Sequence, residues 1–282
     1  MMSMEIYSSI ETGFRMIRKV LTMPELVRPN QEVTLSDQCY RFENVSFSYE
    51  KGIEVLHDIN FDVKPNSVFA IVGESGSGKS TIAKLMAGFF DADDGRIYFG
   101  DQDVKSIPTS QLMKHVAYVA QDNFLFDTSI RENLKIAKAD ATDEEIQAAL
   151  KAANCLELIE RLPEGLNSNA GDCGKFLSGG ERQRITLARA MLADAQCIIL
   201  DEATAYADVE NEAKIQEALS RLMKDKTLIV VAHRLNTIVG ADQIMVLAHG
   251  KIESIGTHKE LIQNSSAYQK LWQSYSGKEV VE

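Results

Sequence analysis

Residues 73–81 read Gly-Glu-Ser-Gly-Ser-Gly-Lys-Ser-Thr. They match the pattern G-x-x-x-x-G-K-[ST], with Gly73, Gly78, Lys79 and Ser80 at its fixed places. The short apolar run Val68–Val72 before them reads as a strand, and Thr81–Ala87 after them as a helix. Each residue type has a reason to be there. Glycines let backbone N–H groups turn towards phosphate oxygens with no Cβ in the way. The start of the helix adds unsatisfied N–H groups and positive dipole. Lys79 can neutralise β- and γ-phosphate charge, and the Ser80 hydroxyl can ligate Mg²⁺. A glycine-rich surface turn is the plain alternative, so the rest of the chain must supply a magnesium carboxylate, a water activator and a base platform.

Length and composition narrow the choices. With 282 residues, 45% of them hydrophobic, the chain is long enough for a proper core and is not disordered by composition. A net charge of −11 argues against nucleic-acid binding, which needs clustered positive surface. The four cysteines, Cys39, Cys155, Cys173 and Cys197, show no metal-ligand spacing and suit a reduced compartment. No apolar run approaches the ~20 residues needed to span a bilayer, and the N-terminus lacks a signal-peptide apolar region. The chain is therefore expected not to cross a membrane itself.

Outward from the loop, Ile6, Ile10, Phe14, Ile17 and Leu21 recur at intervals of three and four and form an apolar helical stripe. The helix either packs on its own domain or leads in from an upstream segment, and Pro24 and Pro29 mark a linker. Tyr40–Tyr49 and Val55–Val63 predict an antiparallel strand pair. Tyr49, at the end of its strand, is either a half-buried strand tyrosine or a platform on which adenine stacks. Gly95–Gly100 and Val116–Val119 predict further strands, and Gln121 follows the second, where its amide oxygen could reach Mg²⁺ or a water.

Between residues 122 and 192 the pattern turns helical, with helices expected over Asp143–Ala153 and Leu156–Leu162. The segment Leu177-Ser178-Gly179-Gly180-Glu181 then opens another helix. Ser178 and Glu181 have the spacing of a capping box. A serine and two glycines at a helix start could equally form a second anion site. Cys197–Glu202 is an apolar strand ending in two carboxylates. Asp201 can hold the Mg²⁺ shell, and Glu202, pointing elsewhere, can polarise an attacking water. Thr227–Ala232 is another buried strand with His233 at its end, where a histidine is either structural or able to bond a γ-phosphate. A hairpin over Gln243–Ile255 and one helix over Glu260–Tyr275 close the chain.

Taken together, residues 40–275 resemble the nucleotide-binding domain of an ABC transporter of the exporter type. Gly73–Thr81 looks like Walker A, Cys197–Glu202 like Walker B with the catalytic glutamate, and Leu177–Glu181 like the signature sequence, with glutamate where the family usually has glutamine. Tyr49 matches the adenine-stacking aromatic, Gln121 the Q-loop and His233 the switch histidine. Gly171–Gly174 and Leu125–Asn133 are similar to exporter segments, the former to the loop set against coupling helices. One departure stands out: Ala205-Tyr206-Ala207-Asp208 replaces the usual Ser-Ala-Leu-Asp of the D-loop.

The resemblance implies an α/β fold: a P-loop NTPase core of mainly parallel sheet with flanking helices, an N-terminal antiparallel β subdomain and an inserted helical subdomain at about 122–192. Residues 1–36 would be helix and linker from an upstream transmembrane domain, and 37–282 the nucleotide-binding domain. It implies ATP and Mg²⁺ as ligands, held by Tyr49, Gly73, Glu74, Ser75, Gly76, Ser77, Gly78, Lys79, Ser80 and Thr81, with Ser80, Gln121 and Asp201 around the metal. Lys79, Gln121, Glu202 and His233 would be catalytic. Ser178, Gly179 and Gly180 would bind the ATP of a second nucleotide-binding domain in a head-to-tail dimer at the cytoplasmic face of a membrane. A soluble ATPase of the same family, acting as a nucleotide-gated clamp, is the alternative.

Overall fold

The computed structural model describes residues 2–22, 26–36, 39–201, 214, 215, 217, 218, 226–232 and 235–276. Glu202, His233 and Ala205–Asp208 lie outside the described residues. A four-stranded antiparallel sheet has the order β2-β1-β4-β5, made by β1 (Tyr40–Glu50), β2 (Ile53–Val63), β4 (Asp94–Phe99) and β5 (Gln102–Asp103). The other sheet has six strands in the order β10-β9-β3-β8-β7-β6. In it β3 (Val68–Val72), β6 (Val116–Val119), β7 (Cys197–Asp201), β8 (Thr227–Val231) and β9 (Gln243–Ala248) run parallel, and β10 (Lys251–Gly256) runs antiparallel to β9.

The parallel strands are covered on both faces, which is why their sequences are continuous apolar runs rather than alternating ones. In β7, Cys197 and Ile199 join the core under the antiparallel sheet, while Ile198 and Leu200 face the helical insert. In β3, Phe69 and Ile71 enter the first core, and Ala70 and Val72 a third one beneath the C-terminal helices. The two sheets are joined through stacked rings: Phe42 lies 4.5 Å from Phe61, and Phe61 lies 5.3 Å from Phe69. Burial pushes the Cys197 thiol well above its ordinary range, as befits a small core residue.

The helical insert comprises α4 (Ile130–Lys135), α5 (Asp143–Ala152), α6 (Leu156–Arg161) and α7 (Gly179–Ala193). Capping boxes start α4, α5 and α7, from Ser129, Thr142 and Ser178. Neither α4 nor α3 (Thr109–His115) is expected from the sequence. Both are short, and short segments carry little periodicity. The expected closing helix is corrected to two, His258–Asn264 and Ser266–Ser276. Ser265 between them has extended φ/ψ (−111°, 107°), and its Oγ accepts from the Tyr268 N–H at 3.2 Å. A serine that satisfies the next turn's backbone ends one helix and starts another.

Helix α1 (Met2–Leu21) carries the expected stripe, and Ile10, Phe14, Ile17 and Leu21 are all exposed, so these residues do not pack on the domain. The linker that follows is tied down. Arg28 grips Asp91 with both terminal nitrogens, at 2.6 and 3.1 Å, and its side chain is 7% exposed. The Gln111 amide exchanges hydrogen bonds with the Val33 backbone at 2.6 and 3.0 Å.

Candidate active site

The loop between β3 and α2 (Lys79–Met86) is built from chain segments that only glycine allows to meet. Gly73 has φ +156°, and a Cβ there would sit 2.1 Å from the Leu247 carbonyl oxygen. Gly78 has φ +104° and abuts the Leu56 side chain. The loop is braced from outside by the β9–β10 turn, where the Gly250 N–H donates to the Ser77 carbonyl at 3.1 Å. Lys79 is 4% exposed and spans the loop, its Nζ donating to the carbonyls of Gly73 (3.0 Å) and Glu74 (2.9 Å). Ser77 Oγ is buried with no hydrogen-bond partner. An orphaned hydroxyl is costly, and Ser77 is not among the residues that line the cleft beside the loop.

Beside the loop, Tyr49 is half exposed and braced edge-on by Phe47 (4.9 Å) and Phe90 (5.2 Å). Its hydroxyl lies 3.1 Å from Thr81 Oγ1. Tyr49, Val55, Ser75, Gly76 and Gly78–Thr81 line one open cleft of about 320 Å³. An aromatic platform and a phosphate cradle therefore share one space, as a nucleotide requires.

Asp201 ends β7 at the carboxyl edge of the parallel sheet, where such folds bind ligands. It is 4% exposed, and its Oδ1 accepts from Ser80 Oγ at 2.8 Å across 121 residues of chain. Its Oδ2 accepts from the Tyr118 hydroxyl at 2.7 Å. Among the described residues it has no ion-pair partner within 4.0 Å. A buried carboxylate beside a hydroxyl, both hard oxygen donors, fits Mg²⁺ with its preference for carboxylate plus phosphate oxygen. Nothing in the sequence marks Tyr118 as a site residue. A tyrosine next to last in an apolar strand looks like any core aromatic, and only the parallel register with β7 gives it a polar partner.

Gln121 follows β6, the strand beside β7, at the same edge of the sheet. It is exposed and lines a cleft of about 290 Å³ together with Asp122, Asn123, Gly179 and Arg182. The cleft thus joins the segment after β6 to the N-terminus of α7. At that N-terminus the capping box is present: Glu181 N–H donates to Ser178 Oγ (3.3 Å) and Ser178 N–H to Glu181 Oε2 (2.8 Å). The box uses the N–H groups of Ser178 and Glu181 and leaves those of Gly179 and Gly180, in the first turn, without intrahelical partners. Glu181 also pairs with Arg161. Burial raises the Glu181 pKa, but the Ser178 N–H and Arg161 outweigh it and hold the carboxyl below its ordinary range. Its negative charge is therefore matched by a cation on the spot.

The ABC transporter family model matches residues 56–205. The "Heavy metal tolerance protein" of Schizosaccharomyces pombe is 48% identical over 82% of this chain and 28% of its own length. The "Mycobactin import ATP-binding/permease protein IrtA" of Mycolicibacterium smegmatis is 47% identical over 83% of this chain and 27% of its own. The chain thus spans less than a third of either relative. Among solved structures, a bacterial Atm1-family ABC exporter with ATP bound superposes with a TM-score of 0.86 at 34% identity, over 95% of this chain and 47% of that one. This chain belongs to the ABC transporter family.

Proposed function

We propose that this chain is the ATP-hydrolysing motor of a membrane transporter of exporter architecture. The observation that carries the reading is the Ser80–Asp201 pair beside the Gly73–Thr81 cradle, with the Tyr49 platform in the same cleft. In this reading Tyr49 stacks on adenine, the loop N–H groups and Lys79 hold the β- and γ-phosphates, and Ser80, Asp201 and Gln121 hold Mg²⁺. Bound there, Mg²⁺ would neutralise charge that builds on the phosphate oxygens. Glu202 accepts the proton of the attacking water and His233 holds water and γ-phosphate in line.

Ser178, Gly179 and Gly180 act on the ATP of a second nucleotide-binding domain. Two domains related by a two-fold axis complete both sites at once. ATP is then the tie between them, and hydrolysis releases it. The partner in the membrane is a permease domain, as the fused name of the mycobacterial relative suggests. The exposed apolar stripe of α1 supports an upstream membrane-spanning segment, and exposed Phe124, Phe126 and Phe176 support a docked permease. The motor would then sit at the cytoplasmic face of the membrane. The relatives' names mention import, heavy metals and an exporter, so the reading concerns the motor and not the cargo.

Glu202→Gln is the test. The variant should bind MgATP, fail to turn it over and accumulate as a dimer on gel filtration. A variant that binds MgATP yet elutes as a monomer at saturating nucleotide would defeat the sandwich.

A further inference from the structure

Tyr118 has a chemistry that the motor reading does not assign. It lies opposite Ile199 in the parallel pair β6–β7, so its side chain shares a face of the sheet with Ile199 and, two residues on, Asp201. The ring crosses that diagonal and its hydroxyl meets Asp201 Oδ2 at 2.7 Å, while Oδ1 is taken by Ser80 at 2.8 Å. The carboxylate is thus held at both oxygens by neutral hydroxyl donors, one from the start of α2 and one from the neighbouring strand. Phe89 meets the ring edge-on at 5.0 Å, and Leu112, Met113 and Val116 complete the small apolar groove around it.

We infer that Tyr118 is a positioning residue for the magnesium-binding carboxylate: its hydroxyl fixes the plane of Asp201 and leaves Oδ1 aimed at Ser80 and the metal position. The inference rests on the proposed role of Asp201 in holding Mg²⁺. The physical logic is that of an outer-shell partner. A carboxylate bonded at one oxygen can rotate about its Cβ–Cγ bond, and a second donor removes that freedom before the metal arrives. Loss of such partners commonly weakens metal binding by about 10- to 100-fold. Tyrosine suits the task because a phenol is a neutral donor at ordinary pH. It donates a hydrogen bond without adding charge that would compete with the cation.

The test separates metal from nucleotide. Affinity for a non-hydrolysable ATP analogue is measured in excess EDTA and again in saturating Mg²⁺, for the wild type, Tyr118→Phe and Tyr118→Met. The ratio of the two affinities reports the metal alone. In both variants the ratio should fall about tenfold, with the EDTA value unchanged. A purely structural role would lower both affinities together and leave the ratio intact. Tyr118→Met fills the ring's space flexibly without a donor, and keeps the experiment decisive if Tyr118→Phe does not fold. A folded variant with the wild-type ratio overturns the inference while the wild type's Mg²⁺ dependence still supports the motor reading. A wild type that binds no nucleotide overturns both.

Discussion

The two elements proposed to bind anions are built in opposite ways. The Gly73–Thr81 loop is closed in by its own protein: Leu247, Gly250 and Leu56 press on it, and Lys79 is buried across it. The helix start at Ser178 supports itself: Ser178 is exposed and stabilised by its own capping box, with Gly180 buried behind it. The loop is a receptor held ready by tertiary contacts. The helix start is stabilised by its own capping box, and its remaining donors, on Gly179 and Gly180, are the ones proposed to meet the phosphate of a second domain. One element therefore tolerates little change before folding suffers, whereas the other can lose its ligand role and still fold.

Gly73→Ala attacks the first element and carries the largest expected effect on stability. Its Cβ would sit 2.1 Å from the Leu247 carbonyl oxygen, so β3 or β9 must shift. We expect a loss of about 3 kcal/mol, as in overpacked cores, and a thermal midpoint lower by roughly 5–10 °C. A variant melting within 1 °C of the wild type would show the loop to be less confined than described.

Ser178→Asp addresses the second element. Aspartate caps helices as well as serine and favours the positive end of the dipole. Stability should therefore change by less than about 0.5 kcal/mol. Its charge would nevertheless oppose a partner's γ-phosphate, so the MgATP-dependent dimer of the Glu202→Gln background should disappear while nucleotide binding persists. A dimer that survives would reduce Ser178 to a cap alone.

Glu181→Gln is the mildest. Glutamine preserves the capping box and removes the ion pair with Arg161. The Glu181 pKa is lowered in the fold, so its contribution to stability is present above the unfolded value of about 4.3 and is lost as pH falls through the folded value. At pH 7 the variant should be less stable by about 0.5 kcal/mol, as for a partly exposed pair. Denaturant midpoints at pH 7 and pH 3 measure this: the gap between the two proteins should close at the lower pH. A gap of equal size at both would mean that the ion pair contributes nothing.

Much of this was legible in advance because it is local. A phosphate loop, a capping box and a strand ending in carboxylates are each written within ten residues. Tyr49 and Ser80 were picked out on their own, and the structure puts both against the same cleft. What escaped was decided at a distance. Asn133, wholly buried, holds the Phe126 backbone through Oδ1 and Nδ2 and takes a further bond from Arg189, a network no spacing announces. The break at Ser265 depends on a hydroxyl that also meets Ser254 on β10.

The sequence by itself determined the chemistry on offer: a glycine-rich loop able to cradle phosphate, an acid at a strand end, and a helix start with free donors. Those follow from residue type and short spacing, where backbone geometry leaves few options. Only the tertiary structure decided which groups share an atom. Ser80, Tyr118 and Asp201 come from three separate elements, and they meet because parallel strand register and the docking of α2 place them on one face of the sheet. Register is set by burial of the whole apolar face, a property no single stretch of this chain contains.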